Sequence, residues 1–558
     1  MIVGAGIAGL RAAISAAETS KALDVAVVSK VYPVRSHSVC AQGGSAAVMR
    51  KEDSYDLHAW DTVKGADFLA DQDVVEFFVE HAPKELVRLE HLGCPWSRTP
   101  EGKISQRPFG GHSFPRACFA ADMTGLVEMH TLYGRAITQE NIKFYDEWFV
   151  TSIVVEDNIA KGLTAIEMRT GEMQALHAKA IIMATGGYAR IYEFTTFSHT
   201  STGDGMTIVY RAGVPLKDME FVQFHPTGMI PQGVLITGGA RGEGGYLINA
   251  EGERFMKRYA PEKMELAPRD IVARAETTEI QEGRGIEGPY GPYIALDLRH
   301  LGEDKINERL PLIRDVAIKL GGVDPVEDPI PIKPAAHYSM GGIHANIKTE
   351  TLVSGLYAAG ECSCLSAHGA NRLGTNSTSG CLVFGFVAGE EAAKHALSSS
   401  FREVSNDKIL AEETRVFDKI LGGEGDERVP LIRDEMRRIM SEKVWVFRSG
   451  DDLEKALKEL LELKRRFRDV RIEDKGRGFN TGLVEAIQLD FTLDLAEITV
   501  ACALARTESR GAHTRRDYPK REDKNWLKHI LAYYTKQGPR LEYIPVTITK
   551  WPPTMRAY

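Results

Sequence analysis

The residues here whose types could carry chemistry begin with a single histidine. "VRSHSVCAQGG", Val34 to Gly44, puts His37 in a loop ending in Gly43 and Gly44, with no second metal ligand beside it. It is neither a zinc ligand by spacing nor half of a Ser–His pair, so its use depends on what the residues before it bind. Those residues, "MIVGAGIAGLRAAISAAE", read as a strand end, a glycine turn and a helix. Gly4 permits the tight turn, Gly6 lets backbone approach a pyrophosphate, and Gly9 lets helix and strand pack closely. The start of the helix offers free N–H groups and positive dipole to phosphates. "LDVAVVSK" supplies a second strand, but it ends in Ser29-Lys30 where the fingerprint usually carries an acid for the ribose. The Ser29 hydroxyl can bond a ribose; the acidic grip is missing. Only Met1 to Val3 precede the turn, and we expect residues to have been lost upstream.

The elements that would position such a ligand recur far along the chain. "AKAIIMATGG" is a buried strand running into Thr185, Gly186 and Gly187, followed by "STGDGM" with Asp204. "GLYAAGE" is another, ending at Glu361. Small residues at strand ends allow backbone to approach a ligand. Three such edges, hundreds of residues apart, suit FAD extended across one sheet, whereas NAD would need fewer.

Bulk properties narrow the class. A chain of 558 residues should divide into about three or four domains. Hydrophobic content of 43% and charge of 26% are those of an ordinary globular protein. Net charge −8 gives no electrostatic footprint for nucleic acid. The basic run "HTRRDYPKRE" is mixed with acids and reads as a solvated face. No apolar stretch approaches about 18 residues and no basic-then-apolar leader opens the chain. The expectation is a protein that does not span a membrane but can dock on a membrane subunit. The seven cysteines include no CxxC, and Cys362 and Cys364 are the sole close pair. Two thiolates cannot supply the four ligands of an iron–sulfur cluster, so no metal centre is expected in this chain.

Across essentially its whole length the chain resembles the flavoprotein subunits of succinate dehydrogenase and fumarate reductase. The resemblance rests on "RSHSVCAQGG", "QFHPTG", "RGEGGYLIN", "GERFM", "APRDIVAR", "HYSMGG", "AAGE", "HGANRLGTNS" and "ESRGAHTRRDYP", in family order. It implies that His37, flanked by Ser36 and Ser38, is bonded covalently to the 8α-methyl of the FAD isoalloxazine. Such a bond keeps the flavin from leaving and withdraws electron density, so the ring accepts electrons more readily. Lys30 and Ser377 join the glycine edges as implied FAD contacts.

The same resemblance implies the substrate site. His225, His337 and Arg372 match the family's carboxylate-binding residues, Thr237 its hydroxyl donor, and Phe109 lies in a matching substrate-site segment. Arg269 matches the arginine that exchanges a proton with substrate, with Arg241 and Asp270 as candidate relay neighbours. Succinate would lose a hydride to flavin N5 and a proton to Arg269, giving fumarate. One departure stands out. The family commonly reads T-E-G before R-G-E-G-G; here Thr237-Gly238-Gly239 lacks that carboxylate, and Glu243 belongs to the downstream motif. Proton delivery would then use water or a shifted acid. An iron–sulfur subunit and, beyond it, a quinone-reactive membrane anchor are implied partners, which would put the chain at the cytoplasmic face of the inner membrane.

The expected fold class is α/β: a Rossmann-like FAD-binding domain (residues 1–220 and 336–405) with an inserted α+β capping domain (221–335). A helical domain (406–515) and a small C-terminal domain (516–558) follow. "DDLEKALKELLELKRRF" repeats Leu453, Leu457, Leu460 and Leu461 at helical spacing, as a bundle core would. "LVEAIQLDFTLDLAEITVACALA" reads as a more buried helix, and the end as an irregular tail strand. Three other readings compete. L-Aspartate oxidase resembles the same chain but lacks the histidine at position 37. A self-contained fumarate reductase with haems would need a CxxCH. A non-catalytic flavin-binding protein would not need His225, Thr237, Arg269, His337 and Arg372 together.

Overall fold

The computed structural model describes residues 1–556. Its nucleotide-binding half is a parallel sheet in the order Leu356–Ala358, Ile181–Met183, Ile2–Val3, Val25–Ser29, Ile142–Asp146. The inner strands Ile2–Val3, Val25–Ser29 and Ile181–Met183 are rich in Val and Ile and covered on both faces, which explains their apolar character, whereas the edge strand Ile142–Asp146 is mostly half-buried. Ile2 lies opposite both Ile182 and Val27, so the first strand is central. Gly4, Ala184 and Ala359 consequently follow three neighbouring strands at one sheet edge, the place where open α/β sheets take ligands.

Small residues set the depth of packing beneath that edge. The alanine-rich helix Ile7–Thr19 is buried from Ile7 to Ala17. It lies against the helix Asn376–Ser398 with backbone nearly touching: a Cβ on Gly385 would stand 2.6 Å from the Ala8 carbonyl oxygen, and one on Gly389 2.3 Å from that of Ala12. Arg11, in the same interface, is paired with the buried Glu85 through two hydrogen bonds, the longer 3.0 Å.

A separate antiparallel sheet runs in the order Val234–Leu235, Val222–Met229, Ile330–Ser339, Ile294–Asp297, Tyr246–Ile248. It has its own apolar cluster, drawn from Met229 to Ile332 and including Leu247, Phe255, Val272, Leu296 and Leu310. Two irregularities interrupt the pairing of Val222–Met229 with Ile330–Ser339. At the first, Gln223 pairs with Tyr338 and Phe224 with Ala336, leaving His337 as the extra residue of a β-bulge. Bulges re-aim side chains, and this one turns His337 toward His225. The helix Arg269–Gln281 packs on these strands. Together the sheets, the helix and the C-terminal helices form the expected α/β fold.

Three expectations for the C-terminal part need correction. In the helix Gly450–Arg466 the buried stripe is Leu453, Ala456, Leu460 and Leu463, whereas Leu461 is 47% exposed. The stripe is shifted round the helix because its two neighbours, Thr481–Ala505 and Val429–Lys443, cover that face and leave Leu461 outside it. The basic run is not all solvated: His513 and Arg515 are buried, with Arg515 donating to the carbonyls of Ala503 and Leu504. The end is not one irregular strand but a hairpin, Lys528–Tyr533 with Arg540–Pro545, added to a sheet that includes Leu216–Lys217. No helix among the described residues is long and apolar enough to cross a membrane.

Buried charges fasten this tail to the body. Arg506 donates to Glu220 at 2.6 Å and to Glu508 at 3.1 Å, all with fully buried side chains. His529 bridges Asp218 at 2.7 Å and Asp71 at 3.2 Å. Burial works against the charged imidazole, but the two carboxylates overcome it and hold His529 up at about 9. A histidine in the unfolded chain titrates near ~6.5, so this contact stabilises fully below that pH and loses its effect as pH rises through about 9. His529→Ala should therefore lower stability by about 3–5 kcal/mol at slightly acid pH, the usual cost of breaking a buried pair. In chemical denaturation the gap between variant and parent should shrink from neutral pH toward alkaline pH; a gap independent of pH would refute the charged bridge.

Candidate active site

Two sets of side chains open into one cavity, a glycine-lined arm beside the parallel sheet and a cationic end beneath the antiparallel sheet. Gly4, Gly6, Ser29, Lys30, Ser36, Gly43, Gly44, Thr185, Gly186, Asp204, Glu361 and Ser377 all line it, together with His37. Gly9 does not: its Cβ would fall 1.9 Å from the Gly4 carbonyl oxygen, so it permits helix–strand packing instead. Gly4 itself has φ +103°, and a Cβ there would strike the Ala184 carbonyl at 2.3 Å. The helix Ile7–Thr19 starts at Gly6 without a side-chain cap of its own, and the Ser38 hydroxyl accepts from the Ile7 N–H at 3.2 Å. The acid missing after Ser29 is present in space: Asp204 is held by Lys30 and by the Thr202 hydroxyl at 2.7 Å. Glu361 accepts from the Ser339 N–H at 2.8 Å, and burial pushes its carboxyl up to about 8. Thr185 lines the cavity wall with its hydroxyl beside the Cys362 thiol. Glycine clearances at Gly4 and Gly9 and a helix that starts at the cavity behind Gly6, with no side-chain cap of its own, are what a bound dinucleotide requires, so the residues fit FAD.

His37 stacks on Phe197 with ring centroids 4.9 Å apart. Its Nδ1 accepts the Ser198 N–H at 3.3 Å, and burial lowers its pKa to about 4. The imidazole is therefore neutral, with Nε2 the nitrogen left to face the cavity.

At the other end, Arg269 begins the helix Arg269–Gln281 and Arg372 lies in the loop before Asn376–Ser398. Both donate to one oxygen, Gln223 Oε1, at 2.9 and 3.1 Å. The Gln223 amide nitrogen is fixed in turn by Asn371 Oδ1 and the Arg372 carbonyl, at 2.8 and 2.7 Å. The bridge is neutral, so it orients two buried guanidinium groups without cancelling either charge. Burial first, then Arg372 and Arg241, pull the Arg269 pKa well below the usual arginine range. Arg372 donates to Ser377 at 3.1 Å and stands 4.3 Å over the Tyr338 ring.

Neutral donors complete the set. His225 Nδ1 accepts the Thr227 N–H at 3.1 Å, which places its proton on Nε2, and that atom is buried without a partner. Burial, Arg269 and His337 depress its pKa far below the normal value. His337 Nδ1 shares a 2.8 Å hydrogen bond with the Thr196 hydroxyl, and its ring centroid is 4.7 Å from that of His225. Thr237 caps the short helix Gly238–Gly242, and Phe109 lies 5.9 Å under the Arg269 guanidinium.

Two expected relay neighbours divide. Arg241 is buried and faces Gly238: a Cβ on that glycine would lie 3.2 Å from Arg241 Nη2. Asp270 is not a partner of Arg269. It is taken by Arg274 at 3.1 Å and Arg556 at 2.9 Å, because the first turn of the helix points it the opposite way. Glu243 is likewise engaged, with Arg309 at 3.1 Å and Arg107 at 3.9 Å. Gln223 and Thr196 are site residues beyond those expected from the sequence. Gln223 had a signal, since it is two residues before His225 on a strand and must share its face; Thr196 had none, because a bulge and a distant loop bring it to His337.

The comparisons agree with this geometry. Residues 1–378 match the FAD binding domain family, and residues 433–558 the family described as fumarate reductase flavoprotein C-term. A fumarate reductase flavoprotein subunit of Mycobacterium tuberculosis is 47% identical over 100% of this chain and 98% of its own length. A succinate dehydrogenase flavoprotein subunit of Rickettsia bellii is 43% identical, with 100% and 98% covered. The solved E. coli quinol fumarate reductase flavoprotein, in a mutated form, superimposes with a TM-score of 0.97 at 46% identity, covering 100% of this chain and 98% of that one. With an FAD cradle and a cationic pocket in one cavity, and with relatives this similar over their full length, the chain belongs to the family of fumarate reductase and succinate dehydrogenase flavoprotein subunits, which are oxidoreductases.

Proposed function

We propose that the chain interconverts succinate and fumarate at an FAD attached covalently through His37 Nε2, with Arg269 moving the proton. The observation that carries this reading is the pair of buried guanidinium groups, Arg269 and Arg372, held on one Gln223 oxygen in the cavity of the dinucleotide-binding glycines. A dicarboxylate is the natural complement. Arg372 can hold one carboxylate through parallel N–H···O bonds, fixing its plane as well as its position. His225 Nε2, His337 and the Thr237 hydroxyl add neutral donors that bind anions without raising the pocket's charge further. Holding both ends twists one carboxylate out of conjugation and presents the reacting carbons; such orientation is worth roughly 7–11 kcal/mol in the best intramolecular cases. The flavin, when bound, supplies hydride acceptance and donation. Arg269 gives a proton to the adjacent carbon of fumarate, or takes one from succinate, and its lowered proton affinity serves both directions.

The remaining assignments follow from this one. The Ser198 N–H on Nδ1 suits an imidazole substituted at Nε2. We place the cap at 221–335 and the flavin domain at 1–220 and 336–405, a division supported by the separate apolar cluster of the cap, although the strand Ile330–Ser339 runs across the second junction. Residues 406–515 and 516–558 form the helical and tail domains. Electrons pass to an iron–sulfur subunit and a quinone-binding membrane anchor at the cytoplasmic face of the inner membrane. Support comes from similar solved proteins described as a quinol–fumarate reductase with menaquinol molecules and as Mycobacterium smegmatis Sdh1 with UQ1. The high-identity relatives do not favour the L-aspartate oxidase alternative.

Acid denaturation should leave the yellow chromophore on the polypeptide, and His37→Ser should release it. That variant should lose succinate oxidation more than fumarate reduction, since the ring no longer feels the withdrawing imidazole; equal losses would count against the bond. Arg269→Ala should lower turnover by about 10²–10⁴-fold, the range for a general acid–base group, with flavin content unchanged. Gln223→Glu should pin both arginines in ion pairs and raise KM for fumarate roughly 10- to 100-fold, equivalent to ~1.5–3 kcal/mol for a charged hydrogen bond. An unchanged KM would show that Gln223 does not set the charge the substrate meets.

A further inference from the structure

An arginine that surrenders a proton to carbon must recover one; of the acids lining its cavity, Asp204 is paired with Lys30, and Glu361 acts on Arg372 and not on Arg269. Glu265 is tied up by Arg254 at 2.7 and 2.6 Å and by the Leu247 N–H. Glu243 and Asp270 are engaged by other arginines. One carboxyl is different. Glu276 is completely buried, and among the described residues neither of its oxygens has a hydrogen-bond partner. Leaving such a group unpaired costs about 1–3 kcal/mol or more, while an apolar residue would suit this helix face without cost.

Its position explains its retention. Glu276 follows Arg269 by seven residues on the helix Arg269–Gln281, two turns along and on nearly the same face. Arg241 interacts electrostatically with both: it lowers the proton affinity of Arg269, and Glu276 is the foremost acid acting on Arg241 itself. Arg241 is anchored through Nη1 to the Glu265 carbonyl at 2.6 Å, which leaves Nε buried and unpartnered.

We propose that Glu276 is the carboxyl that feeds protons through Arg241 to Arg269. In fumarate reduction an Arg269 N–H bond breaks as a C–H bond forms at the substrate carbon, the accompanying hydride coming from the reduced flavin. Arg269 then regains a proton from Arg241 and Arg241 from the Glu276 carboxylic acid, each through an intervening water because no hydrogen bond joins these groups directly, and the relay draws its proton from solvent; succinate oxidation runs the same transfers in reverse. Burial favours the protonated carboxyl that this direction needs. Glu276 acts through Arg241 and does not touch substrate, so it is a relay residue. The inference rests on Arg269 as the proton-transfer group.

The test uses the assembled enzyme with its flavin and a reduced dye as electron donor, with flavin content and thermal stability as folding controls. Glu276→Gln keeps shape and polarity but cannot carry the proton. Its kcat should fall by about 10²-fold, at the lower end of proton-transfer effects, with KM for fumarate within about twofold and a larger solvent isotope effect. The decline of the parent's fumarate-reduction rate at high pH, where Glu276 loses its proton, should disappear. Adding Gly238→Glu should restore turnover, since a side chain from that position starts beside Arg241 Nη2. A parental rate and pH profile in Glu276→Gln, with Arg269→Ala inactive, would overturn the relay and leave Arg269 standing. A slower enzyme with an unchanged pH profile and no rescue would reduce Glu276 to a structural part. An active Arg269→Ala would instead remove the premise itself.

Discussion

The structure depends on keeping positive charge buried without neutralising it. Arg269 and Arg372 line one pocket with the buried Arg241 acting on Arg269 from behind it, and the acids around them are either paired elsewhere or pushed toward the neutral form. An unpaired buried cation is expensive, so such a pocket survives only if the surrounding fold over-determines it. Here the contacts are neutral and directional: a glutamine oxygen, a serine hydroxyl, a tyrosine ring and a backbone carbonyl. They fix the geometry while leaving the field for an incoming dianion.

That constraint accounts for much of the architecture around it. The helix bearing Arg269 is anchored at its second turn by Arg274, which donates to the Gly511 carbonyl at 2.7 Å. Gly511 sits in a segment held by the buried Arg506, Glu508 and Arg510 network, and Arg510 reaches the Asp67 carbonyl at 2.9 Å. Residues more than two hundred positions from Arg269 therefore help to hold it. The motif "ESRGAHTRRDYP" is structural in this light, although its residue types resemble a binding patch.

What the sequence made legible follows from range. The glycine turn and the alternation of small and apolar residues around it are local, and glycine clearances of 1.9–2.3 Å leave few other solutions at Gly4, Gly9 and Gly389. The site residues were legible only because long motifs resembled a known family; no spacing rule links His37 to Arg372. Two kinds of feature were hidden. The tail hairpin pairs with Leu216–Lys217, more than three hundred residues earlier, and nothing local announces such a partner. The bulge at His337, the Gln223 bridge and the engagement of Asp270 by Arg274 and Arg556 depend on registers and crossings that propensity does not encode. Leu461 shows the reverse error, an apolar residue at helical spacing that finds no surface to cover.

Under the proposed function, the same charge balance would link substrate binding to proton supply. In the free pocket Arg269 is pressed toward deprotonation by burial and by its two cationic neighbours. A dicarboxylate brings two negative charges into contact with Arg372 and Arg269, and opposite charges at contact distance favour the charged form of each. If Arg269 is the proton donor we propose, binding of fumarate loads it at the moment it is needed. Departure of the dianion removes that support, so the proton affinity of Arg269 follows occupancy of the pocket. A pocket built with a carboxylate in place of Gln223 would hold Arg269 protonated at all times, and the proposed coupling between binding and proton transfer would be lost.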